Sequence, residues 1–164
     1  MEKLKALRKH LIDRVPGLKK NPDRLLTFVE QGTVEFHRGQ NLSHEYSIPV
    51  RIVLTDYSGS LDLVMLPLLQ WLTTFQPNLT PTEAVRLDAE ILSNTAMDLS
   101  LQVTLTERVV AIVDCVAGKI QVDHRKPEFD IITCPATHWQ IFIRDEEAED
   151  DYTLIAEWGE ESAP

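Results

Sequence analysis

Ser43–Gln76 reads SHEYSIPVRIVLTDYSGSLDLVMLPLLQWLTTFQ, and this stretch decides the fold. Tyr46, Ile48, Val50, Ile52 and Leu54 recur every second residue, so they share one face of a long strand. Asp56, Tyr57, Ser58, Gly59 and Ser60 break that period with turn formers. Ser60 is placed to cap a following helix, with Asp62 in its first turn where the helix dipole favours negative charge. Over residues 61–75, Leu61, Val64, Met65, Leu68, Leu72 and Phe75 form one helical stripe. Leu63, Leu66, Leu69 and Trp71 carry apolar surface beyond that stripe. Such a helix needs cover on more than one side, a sheet on one face and a neighbouring subunit on another. Pro49 interrupts the long strand, which predicts an edge position or a bulge there.

Outward from this block, residues 2–14 read as a helix with Leu4, Leu7, Leu11 and Ile12 on one stripe, ended by Val15-Pro16-Gly17. Residues 25–30 and 33–37 read as short strands, with Gln31-Gly32 as a hairpin turn between them. Leu87, Ala89 and Ile91 alternate, and Ser93-Asn94 turns the chain. Leu99, Leu101, Val103 and Leu105 alternate strictly with Ser100, Gln102, Thr104 and Thr106, the pattern of a half-buried strand. Residues 108–113 and 119–123 predict a strand pair around Ala117-Gly118. Phe129/Ile131, Trp139/Ile141/Ile143 and Tyr152/Leu154/Ala156/Trp158 alternate too, with the acidic run 145–151 as a solvated loop. These last strands either join the main sheet or form a small flap. The fold class is α+β (α/β): a mainly antiparallel sheet packed by a long central helix and an N-terminal helix.

The 164 residues are 43% hydrophobic, enough for one domain with a core and too apolar for wholesale disorder. The charged N-terminus lacks the apolar segment of a secretory signal, and the densest apolar run, residues 61–69, is too short to span a bilayer. Two cysteines make no disulfide framework, so the default compartment is cytoplasmic. Charge is uneven. Residues 1–126 hold 15 basic and 15 acidic side chains, whereas residues 127–164 hold Arg144 against 11 acids. The chain's whole net charge of −10 therefore sits in its last 38 residues. That end repels phosphate, so nucleic acid is disfavoured as a general partner. The division predicts a domain over 1–126 and an acidic, β-rich appendage over 127–164.

LKKNPDRLLTFVEQGTV, EYSIPVRIVLTDYSGSLDLVMLPLLQWL and DLSLQVTLTERV, in that order, resemble the tail completion R protein (GpR) family of temperate phages with contractile tails. The resemblance covers roughly residues 1–126. It implies a structural role, finishing an assembled tail so that it can join a head, and it carries no catalytic residues and no cofactor. By analogy of role it implies a ring-forming tail terminator, commonly a hexamer of α/β subunits. The partners implied are other tail and head–tail connector proteins and further copies of the chain, with DNA passing through the ring and no membrane. The implied location is the host-cell cytoplasm during assembly and then the virion tail.

Enzyme chemistry finds little support in the residues. Cys115, His124, Cys134 and His138 could be drawn as a zinc set, but no CxxC or HxxxH pair supports it. His44 and Glu45, beside Asp56, point to opposite faces of a strand and do not converge. No nucleophile elbow, Walker or dinucleotide glycine pattern is present. The subunit-interface candidates are Leu66, Leu69, Trp71 and Pro49. The basic residues that could line a lumen or meet a partner are Lys3, Lys5, Arg8, Lys9, Lys19 and Lys20, and a solvated helix face explains them equally. The competing reading is a stand-alone intracellular protein-binding module with an acidic docking tail, with a small enzyme third. A ring predicts a large mass in solution; the module predicts a monomer.

Overall fold

The computed structural model describes residues 1–36, 41–82, 84–91, 96–126, 136–144 and 152–159. In chain order the elements are α1 (Glu2–Arg14), a 3-10 turn (Pro22–Arg24), β1 (Leu25–Val29), β2 (Thr33–Phe36), β3 (His44–Tyr57) and α2 (Asp62–Phe75). There follow β4 (Arg86–Ile91), β5 (Met97–Asp114), β6 (Lys119–His124), β7 (His138–Arg144) and β8 (Tyr152–Gly159). The expected turn at Ser93-Asn94, the Phe129/Ile131 strand and the acidic loop 145–151 lie outside the described residues.

Two long strands organise the main sheet. β3 and β5 pair antiparallel from His44↔Val109 to Tyr57↔Met97. β1 and β2 lie end to end along the free side of β3. β4 and β6 lie end to end along the free side of β5. The sequence predicted a hairpin between β1 and β2, and the structure corrects this. Both strands run antiparallel to β3, because β3 is long enough to pair each of them in turn. The link between them needs Gly32, where a Cβ would stand 2.9 Å from the Ser47 carbonyl oxygen.

Pro49 is corrected by the same topology. β3 is flanked on both sides, so the proline marks no free edge. Its carbonyl accepts the Glu30 amide at 2.9 Å, and its ring faces the break between β1 and β2. The missing N–H forfeits the return bond to the Glu30 carbonyl, one residue past the end of β1, so the loss to this central strand is confined to the break.

β5 joins the predicted strands at 99–105 and 108–113 into one of 18 residues. Leu99, Leu101, Val103, Leu105 and Val109 are buried on one face, as the period of two requires. They meet Ile48, Val50, Ile52 and Leu54 of β3, and α1 and α2 close this core with Leu7, Leu11, Val64, Leu68, Trp71 and Leu72. The two helices are nearly equal in length, so the core is shared rather than built on one long helix. Leu61 occupies the cap position of α2, and the Ser60 hydroxyl accepts the Asp62 amide at 3.3 Å one residue earlier. Among the described residues β7 and β8 pair with each other and not with the main sheet, the flap arrangement of the two alternatives. Their Ile141 and Trp158 pack on Leu63 of α2, forming a second small core. Among the described residues no helix is long and apolar enough to cross a membrane.

Candidate assembly surfaces

α2 is apolar nearly all round, and the structure divides its faces. Val64, Leu68, Trp71 and Leu72 enter the main core, while Leu63 goes to the β7–β8 hairpin. Asp62, Leu66, Leu69 and Thr73 remain on one exposed stripe. Leu66 is 42% and Leu69 44% exposed, so two large apolar side chains stand uncovered side by side on a helix surface. Trp71, the aromatic candidate, is only 2% exposed and stacks on Phe75 within the chain's own core. The sequence pattern could not separate Trp71 from Leu69, because both lie off the main stripe. Pro67 sits inside α2 and removes one helix bond; its carbonyl accepts from His10 Nε2 at 2.9 Å, tying α1 to α2.

The six basic candidates are scattered by the fold. Lys3 is buried, and its ammonium donates to the Phe75 carbonyl at the C-terminus of α2, the negative end of that helix. This corrects its reading as a lumen residue. Arg8 donates to the carbonyls of Leu25 and Pro22, tying α1 to β1. Lys5 pairs with Glu2, and Lys9 with Asp13, along the exposed side of α1. Lys19 and Lys20 are exposed before the 3-10 turn.

One heavily bonded buried group carries no motif in the sequence. Glu107 of β5 is 1% exposed and shares the core face with Leu105 and Val109. Its carboxylate accepts the amides of Glu2 and Lys3, each at 3.0 Å, and approaches Nδ1 of His124 at 2.5 Å. α1 has no side-chain cap of its own. Glu107 therefore does from a distant strand what a local cap residue does, satisfying first-turn donors with a negative charge. Burial opposes its charged form, but the two amides and His124 outweigh that, and its pKa lies below the usual carboxylate value. The signal was present: an acid at the buried parity of an alternating strand needs a partner. Gln76 plays a similar part. Its side-chain amide bonds both the N–H and the C=O of Thr106, filling the ladder where β4 has ended and β6 not begun.

The residues weighed for enzyme chemistry do not converge. His44 Nδ1 bonds the Leu42 carbonyl, and Asp56 forms a bulge at the other end of β3 with φ of 52°. Cys115 is exposed in the β5–β6 turn, His124 is held by Glu107, His138 starts β7, and Cys134 lies outside the described residues.

A family model described as P2 phage tail completion protein R (GpR) matches residues 1–129. The chain belongs to that family. It is 30% identical over 167 residues to the tail completion protein R of Escherichia phage P2, covering 98% of this chain and 100% of that one. No solved structure matches. Membership makes this a structural protein of phage tail completion. The GpR match takes in α1, α2 and β1–β6, and LTERV, one of the stretches behind the family resemblance, contains the Glu107 that caps α1.

Proposed function

We propose that this chain caps the assembled phage tail as a ring of copies, in the manner of tail terminators, and makes the tail competent to join a head. The role is structural, not catalytic. Its partners are tail proteins on one side and head–tail connector proteins on the other, met first in the host cytoplasm and then in the virion, with DNA crossing the ring. Residues 1–126 carry assembly, and the acidic residues 127–164 hang at the periphery or meet a basic partner. Family membership supports the tail role. The observation that carries the contact is the exposed Leu66–Leu69 stripe on α2, apolar surface that the chain's own core and hairpin leave uncovered.

Leu69→Asp tests this. A charge buried in a contact without a partner is expelled, so this variant keeps its secondary structure and loses tail completion in an infection assay. Leu72→Asp, on the core stripe, unfolds the chain. A folded Leu69→Asp protein that completes tails as the wild type does would remove α2 from the contact.

A further inference from the structure

We infer that copies of this chain join laterally by pairing the β1 edge of one copy with the β4 edge of the next, so that the main sheet continues from subunit to subunit. This rests on the ring reading above and names its lateral contact.

The two edges lie level with each other. One row crosses the sheet as Thr27–Ile52–Leu101–Leu87, and the next as Leu25–Leu54–Leu99–Ala89. β1 and β4 also run in opposite directions, so a neighbour's β1 set against β4 makes an antiparallel ladder. Because the edges share rows, the next copy needs no slide along the strands. That favours a head-to-tail contact that closes over one that climbs into an open helix. β2 and β6 share only the row Phe36–His44–Val109–His124, so pairing those edges would require such a slide.

Hydrogen-bond direction agrees. Pro49 and Glu30 fix the odd residues of β3 as facing β1, and Gln76 and Thr106 fix the even residues of β5 as facing β4 and β6. Thr27 and Val29 of β1, and Leu87, Ala89 and Ile91 of β4, therefore turn their backbone groups outward. Arg8 already holds the Leu25 carbonyl, so the new ladder starts at Thr27. All six residues of β4 are exposed, as are Val29, Leu26 and Phe28 of β1. An open edge of this kind is a template for another strand.

Charge selects a second copy as the occupant. Lys19, Lys20 and Arg24 outweigh Asp23 ahead of β1, whereas in β4 Asp88 and Glu90 outweigh Arg86. In the level register Thr27 meets Leu87 of the next copy, which brings the 3-10 turn ending at Arg24, whose guanidinium bonds the Asp56 carbonyl at 3.2 Å within its own chain, to the Glu90 end of the neighbour's β4. Opposite charges at facing positions stabilise a strand pair and like charges oppose it.

Proline at an outward N–H blocks the new ladder while sparing the bonds inside the subunit. Light scattering across a concentration series, in solution and with tails purified without this protein, reads the result. The wild type assembles. Thr27→Pro and Leu87→Pro, each folded by circular dichroism, stay at the 18.7 kDa monomer. Mixed one to one they form a dimer and stop, because each retains one working edge. Arg24→Glu and Glu90→Arg each raise the assembly concentration tenfold or more, and the combined variant returns it toward wild type. If both proline variants fold and assemble normally, the edge contact is overturned while the ring stands. If they fail to fold, the charge pair decides, and absence of rescue overturns the contact. A wild type that stays monomeric in solution and on tails overturns the ring and this contact together.

Discussion

Glu107→Ala removes the side-chain acceptor that holds the first-turn amides of α1. The carboxylate bonds two amides at 3.0 Å and sits against His124, all at a site 1% exposed. Loss of a helix cap costs about 0.5–2 kcal/mol. Leaving a buried donor without its charged acceptor costs about 1–3 kcal/mol more, softened if the first turn frays into water. The expected loss is about 2–4 kcal/mol, read as a shift of the urea midpoint with unchanged slope. Hydrogen exchange should quicken first at the beginning of α1, since the damage is local. Glu107→Gln keeps an acceptor and loses the charge, so it falls between wild type and alanine. Protonation supplies an independent check. The carboxyl's folded pKa is depressed, so its contribution is fully present above the unfolded value of 4.5 and is lost as pH falls through the folded value. The glutamine variant lacks that component of the acid loss. An alanine variant within about 0.5 kcal/mol of wild type, with α1 exchange unchanged, would refute the remote-cap argument.

Leu101→Ala, at a side chain with no exposure, is expected to cost about 2–5 kcal/mol in the same assay, and less than about 0.5 kcal/mol would contradict its place in the core. Burial, then the nearby Arg14 charge, pushes the His10 pKa from 6.5 down to about 4. The folded chain thus resists a proton the unfolded chain accepts, and stability declines as pH falls from about 6.5 to about 4. Discounted for the ring's partial exposure, the loss is on the order of 1–2 kcal/mol, and His10→Gln flattens that window if the assignment holds. Deleting residues 127–164 uncovers Leu63 and should leave a cooperative unfolding transition, weakened by about 1–3 kcal/mol; an insoluble or non-cooperative product would make the hairpin integral to the fold.

The two helices, the long strand of Ser43–Asp56 and the alternation through Leu105 were legible because each is a local period, set by the 3.6-residue and two-residue repeats of the backbone. The family resemblance was legible from the order of three sequence blocks. The hairpin predicted at Gln31-Gly32 and the edge predicted at Pro49 failed for one shared reason: strand pairing is a non-local choice. β3 is long enough to pair β1 and β2 in turn, and a proline opposite the break between them forfeits a single bond, to the Glu30 carbonyl. The roles of Glu107, Gln76 and Lys3 are equally non-local, since each satisfies backbone groups far away in sequence, at Glu2, Thr106 and Phe75. Leu69 and Trp71 stand two residues apart on one greasy helix, and no pattern told them apart. The sequence by itself determined which segments are helix and strand and which faces are apolar. Only the tertiary structure decided which apolar surface is used up inside the chain and which is left for a neighbour, because burial belongs to a side chain's three-dimensional surroundings rather than to its position in the chain.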